Sequence, residues 1–75
     1  MEEKLKQIFG RLFGIEAQSI NEESSPKTIK KWDSLAHMNL VVSIEDEFGV
    51  QFSDEEIPHL VDFGTVLKVL AEKIH

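Results

Sequence analysis

The 75-residue chain has no cysteine, which excludes disulfide bonds and thiolate metal sites. It has no apolar run approaching the roughly 20 residues that span a bilayer. Met1 to Gly10 is amphipathic and lacks the apolar core of a signal peptide, so the expected compartment is the cytoplasm, away from any membrane. Lys and Arg are missing from the whole stretch between Asp33 and Asp62, where Glu45, Asp46, Glu47, Asp54, Glu55 and Glu56 also fall. With a net charge of −6, this distribution argues against a nucleic-acid partner, because phosphate backbones are bound by clustered basic residues. The same stretch sets up a negative field that steers basic protein surfaces, although acids of this kind also serve simply as a solvated face.

What is present is enough for one core. A chain this short, 41% of it hydrophobic, is read as a single domain over residues 1–75 of modest stability, since the apolar area available barely offsets chain entropy. Leu5, Ile8, Phe9, Leu12 and Phe13 recur at three-and-four spacing and predict a helix from about Glu2 to Phe13, stopped by Gly14. Between Glu16 and Lys31 the pattern dissolves into polar residues and Pro26, which predicts a long ordered loop. A second helix is expected from about Ser34 to Phe48, with Asp33 or Ser34 as N-cap and Gly49 just past its end. Ser53 and Glu56 form a capping-box pattern, but Pro58 follows so closely that the third helix should be short and irregular. A last helix, capped by Asp62, should bury Phe63, Val66, Leu67, Leu70 and Ile74. The expected fold is all-α, a four-helix bundle with three longer helices and one short, irregular third helix.

The second helix carries two apolar stripes. Leu40, Val41, Ile44 and Phe48 suit the core, whereas Leu35, Met38 and Val42 lie roughly 100 to 120° away on the helical projection. That second stripe either meets another neighbour within the domain or faces a partner, a role for which the adaptable thioether of Met38 is suited. Glu45 and Glu47 complete the candidate partner-binding set as a charged margin.

Trp32, Asp33, Ser34 and Leu35, followed by an apolar helix ending in Glu45, Asp46, Glu47, Phe48 and Gly49, resemble the acyl carrier protein family over essentially the whole chain. The resemblance implies four helices and a serine at the start of the second that carries a 4′-phosphopantetheine arm derived from coenzyme A. It implies attachment at Ser34, with Asp33 as part of the attachment motif, by a separate phosphopantetheinyl transferase that uses magnesium. The chain would then hold an acyl or related carboxylic group as a thioester and present it, as a freestanding monomer, to acyl-loading and acyl-transferring enzymes. Physical chemistry favours the same residue: a hydroxyl at the boundary of loop and helix is reachable, and a phosphodiester there lies near unpaired amides and the positive end of the helix dipole.

The chain departs from fatty-acid carriers at Ala36, His37 and Asn39, where acids are common, which puts recognition by fatty-acid enzymes in question. Lys27, Lys30 and Lys31 stand before Ser34, either pairing with phosphate or solvating the loop. His37 with Ser34 does not make a hydrolase, because no third orienting group, oxyanion site or nucleophile elbow accompanies them. Its expected role is a hydrogen bond fastening the loop around Trp32 to the helix start. Asp54, Glu55 and Glu56 lack the alternating ligands and central glycine of a calcium loop, so no metal site is expected. The reading is of a carrier and not an enzyme. A peptidyl or aminoacyl carrier, and a helical interaction module without a prosthetic group, stay open as alternatives.

Overall fold

The computed structural model describes residues 1–74. Three α-helices, α1 (Glu2–Phe13), α2 (Ser34–Phe48) and α3 (Phe63–Ile74), are joined by segments that contain short 3-10 turns at Ala17–Ser19 and Ile57–His59. The first two helices begin and end where the sequence places them. Gly14 and Gly49 both adopt the left-handed conformation at φ 66°, which a residue without Cβ enters freely, and each closes its helix by donating its amide to a carbonyl four residues back. Asp33 is the N-cap of α2, and its carboxylate accepts the Ala36 amide at 2.8 Å. Asp62 does the same for the Thr65 amide at 2.7 Å.

The helices share a single cluster of buried side chains. Leu5, Ile8, Phe9 and Phe13 of α1 meet Leu40, Val41 and Ile44 of α2 and Phe63, Val66 and Leu70 of α3. Phe9 lies at its centre, edge-on to Phe13, Trp32 and Phe63 with ring centroids 5.0–5.8 Å apart. Such edge-to-face packing adds to the area each ring buries. Leu12, Phe48 and Leu67 lie half-buried at its margin. Ile74, expected in the α3 stripe, is 41% exposed.

The long loop is ordered, and it is tied to the far end of the chain. Ile20, Ile29 and Trp32 reach down into the core. The Phe63 amide donates to the Ser24 carbonyl at 2.8 Å and the Gly64 amide to the Glu22 carbonyl at 3.0 Å, so the loop satisfies amides that open α3 and would otherwise be unpaired. A Cβ on Gly64 would stand 3.0 Å from the Glu22 oxygen, which explains why this position has no side chain.

Where the short third helix is expected, the chain makes one turn and no α-helix. The capping box forms: Ser53 donates its amide to Glu56 Oε1 at 2.8 Å and accepts the Glu56 amide at its hydroxyl at 3.2 Å. Propagation then fails, because Pro58 has no amide to donate. The Ile57 carbonyl, moreover, faces a side chain of α2. Three α-helices and a 3-10 turn thus stand in place of four helices.

Candidate functional site

Ser34 is the first residue of α2, exposed, and its hydroxyl makes no hydrogen bond among the described residues. The residue before it is committed to the backbone: Asp33 holds the Ala36 amide with its carboxylate and the His37 amide, at 2.8 Å, with its carbonyl. This leaves the Ser34 and Leu35 amides as the unpaired donors of the first turn, at the positive end of a 15-residue helix. An anionic group on Ser34 meets favourable charge there.

Ser34 stands on the rim of an open groove of about 810 Å³ between the start of α2 and the turn at Ile57–His59. Met38, Pro58 and Val61 form its outer apolar wall, and Trp32, His37 and Leu60 lie deeper. Lys27 borders this groove. Lys30 and Lys31 border a different hollow, behind the loop, and the Lys31 ammonium lies 3.4 Å from where a Gly14 Cβ would be, at the negative end of α1. Of the three lysines before Ser34, only Lys27 shares its groove.

His37 makes the loop-fastening bond that its position predicts. Its Nδ1 accepts from Trp32 Nε1 at 2.9 Å, and its Nε2 lies 2.9 Å from the Ile57 carbonyl oxygen. The second bond, 20 residues away in sequence, has no local signature.

The second stripe of α2 is open to solvent: Leu35 is 73%, Met38 48% and Val42 52% exposed. Val61, across the groove from Met38, is 54% exposed and extends the apolar surface. The two acids expected as its margin are drawn elsewhere. Glu45 accepts the Phe52 amide at 2.8 Å, and Glu47 pairs with Lys4 of α1 at 3.5 Å. Asp46, four residues after Val42, is the exposed acid that shares the stripe's side of the helix. Sequence spacing already contained that signal, which grouping Asp46 with its neighbours obscured.

A family model described as the phosphopantetheine attachment site matches residues 3–72. The chain belongs to this family of carrier domains. The carrier domain is similar to non-reducing polyketide synthase AC of Didymella fabae, with 36% identity over 69 residues; these are 92% of the domain but only 3% of that protein. It is also similar to the solution NMR structure of a holo acyl carrier protein from Geobacter metallireducens, with a TM-score of 0.86 and 32% identity, over 96% of this chain and 83% of that one. Its function is therefore that of a domain that carries a covalent 4′-phosphopantetheine group. Carriers of this kind meet a phosphopantetheinyl transferase and acyl-handling enzymes.

Proposed function

We propose that Ser34 is the attachment point of the arm and that the domain delivers a thioester-bound acyl group to acyl-handling enzymes. The carrying observation is the conjunction at Ser34: an exposed, unbonded hydroxyl, two unpaired amides beside it, and an apolar groove opening from the same rim. These residues suit the prosthetic group. The Ser34 and Leu35 amides would hold its phosphate, and Lys27 is the cation bordering the same groove. When bound, the arm supplies the thiol that a chain without cysteine lacks. Asp33 acts through the backbone, by fixing the first turn that presents Ser34.

The exposed stripe of Leu35, Met38 and Val42, with Val61, is the face offered to partners. Asp46 and Glu45 border it on either side, Glu45 while holding the Phe52 amide, and Glu47 lies further round the helix as part of its acidic surroundings. An apolar centre with a charged rim is the usual composition of a protein interface. Acyl cargo is favoured over aminoacyl cargo by likeness to an acyl carrier protein and a polyketide synthase. A fatty-acid pathway gains no support from the polyketide relative. A cytoplasmic monomer is the state we assign to it, which fractionation and sedimentation test.

Incubation with coenzyme A and a broad-specificity transferase should add one phosphopantetheine to the intact mass. Ser34→Ala should abolish the addition and keep the helical circular dichroism. Modification that persists in S34A, or maps to Ser24, Ser25, Ser43 or Ser53, overturns the assignment. Met38→Glu should slow acyl loading with little change in unfolding midpoint. An early-melting M38E with unaltered loading would place the stripe in the core.

A further inference from the structure

The groove beside Ser34 has a deep part and a rim of different character. Trp32 and Leu60, at 4% and 1% exposure, close it from below together with His37. Behind the Trp32 indole stand Phe9 and Phe13, at centroid distances of 5.3 and 5.6 Å, and Phe9 leads on to Phe63 at 5.0 Å. Aromatic rings therefore fill the space into which a chain entering from the groove would have to pass. Entry requires either that the indole move or that the turn carrying Leu60 lift away from α2.

One side chain opposes both movements. The Trp32 Nε1 group only donates and the Ile57 carbonyl only accepts, so His37 must accept at Nδ1 and carry its proton on Nε2. The two rings lie 18° from parallel with centroids 6.0 Å apart, and the bond runs between their edges, so the indole is gripped by its rim and not by its face. A neutral imidazole of this tautomer satisfies both partners. An imidazolium, with two donors, satisfies only Ile57.

We infer that His37 is a specificity-determining positioning residue: by tying both Trp32 and Ile57 to α2, it keeps the groove shut below and holds an apolar cargo at the surface of the carrier. This inference rests on Ser34 as the attachment point. It also names the class of cargo. A short acyl group, or one bearing polar substituents, lies across Met38, Pro58 and Val61 in contact with water and loses little by doing so. A long saturated chain gains most from the core, which this arrangement denies it.

The test loads octanoyl-phosphopantetheine from octanoyl-coenzyme A onto wild type, His37→Gln and His37→Ala, with intact mass read first. In the wild type, nuclear Overhauser contacts from the octanoyl protons should reach Met38 and Val61 and should not reach Leu40 or Phe63. H37Q, whose amide both accepts and donates, should repeat that pattern. H37A should gain contacts to Leu40 and Phe63 and show a several-fold rise in acrylamide quenching of Trp32, the single tryptophan. Octanoyl contacts to the core in wild type overturn the inference, as does an H37A chain matching wild type in both readouts. An H37Q chain that behaves as H37A overturns the assignment to the two hydrogen bonds. If H37A does not fold, the wild-type contacts and H37Q decide. If wild type takes no octanoyl arm, the attachment reading fails alone, and quenching in the unloaded variants still judges His37: a rise in H37A supports its role, and none rejects it.

Discussion

The segments on either side of α2, residues 14–33 and 49–62, both border the groove, yet they are held by different chemistry. The earlier one is anchored chiefly by backbone and by carbon: the Ser24 and Glu22 carbonyls accept from Phe63 and Gly64, and Ile20, Ile29 and Trp32 are buried, with one side-chain bond from Trp32 to His37. The later one buries Phe52 and Leu60 but is fastened by side chains that ionise. Glu45 takes the Phe52 amide, and Glu56 pairs with Lys73 of α3 at 2.8 Å. The Lys73 ammonium also stands over the Phe52 ring, 5.4 Å from its centroid. His37 bonds Ile57 here and Trp32 in the earlier segment alike, so the contrast rests on Glu45, Glu56 and Lys73. Solvent conditions should therefore reach the later segment well before they disturb the earlier one. The wall of the groove that precedes Ser34 should be the more rigid, and the wall opposite the more adjustable.

The strongest way to break this contrast is Trp32→Ala. Removing a buried indole packed on Phe9 and Phe13 should cost about 3–5 kcal/mol, a large part of the stability of a domain this small. Urea unfolding followed by circular dichroism checks it, and a loss of under about 1.5 kcal/mol would show that the indole does not anchor the loop. Next comes Gly64→Ala, whose added carbon meets the Glu22 carbonyl at 3.0 Å. Overpacking of this kind should cost about 1–3 kcal/mol and speed amide exchange at Phe63, with Phe52 unaffected. Glu45→Ala probes the other side. Losing one hydrogen bond to a half-exposed carboxylate should cost about 1 kcal/mol, with faster exchange at Phe52 while Phe63 keeps its protection.

The smallest effect concerns pH. The Lys73 side-chain hydrogen bond, followed by the Ser53 backbone bond, holds the Glu56 carboxyl below its ordinary value of 4.5. The folded chain thus favours the ionised form, so this contribution is complete above pH 4.5 and is lost as pH falls below it. Acidification through that range should lower the exchange protection of Ile57 before that of Phe63, and Glu56→Gln should remove that part of the pH dependence. Equal acid sensitivity at the two amides would erase the distinction between the walls.

Local signals explain which parts of this fold are legible in the sequence. The spans of α1 and α2 follow from the glycines that end them and the aspartate that begins α2, because caps act within one turn. The Asp33–Ser34 pair that carries the family resemblance sits in that same readable context. Helical spacing set Leu35, Met38 and Val42 apart from the core stripe, and the structure decides between a neighbour and solvent by exposing them. What escaped depends on distant partners. The Ser53–Glu56 box formed but no helix followed, since a helix needs successive amides as well as a good start. Glu45 turned to Phe52, and His37 to Ile57, across a chain reversal that no periodicity encodes. Ile74 fits the α3 stripe by spacing and is nonetheless exposed at its far end.

The loop that leads to Ser34 is held by amides belonging to Phe63 and Gly64, residues made later in synthesis. A ribosome releases the serine well before it releases what steadies the serine's approach. During that interval the nascent chain displays the Ser34 hydroxyl without the finished surroundings, and α2 alone has no α3 to pack on. A transferase that reads the folded rim would act only after α3 has docked. In that sense the order of synthesis would delay attachment at the proposed serine until α3 is in place, and a chain ending before Phe63 would contain the serine without the finished rim.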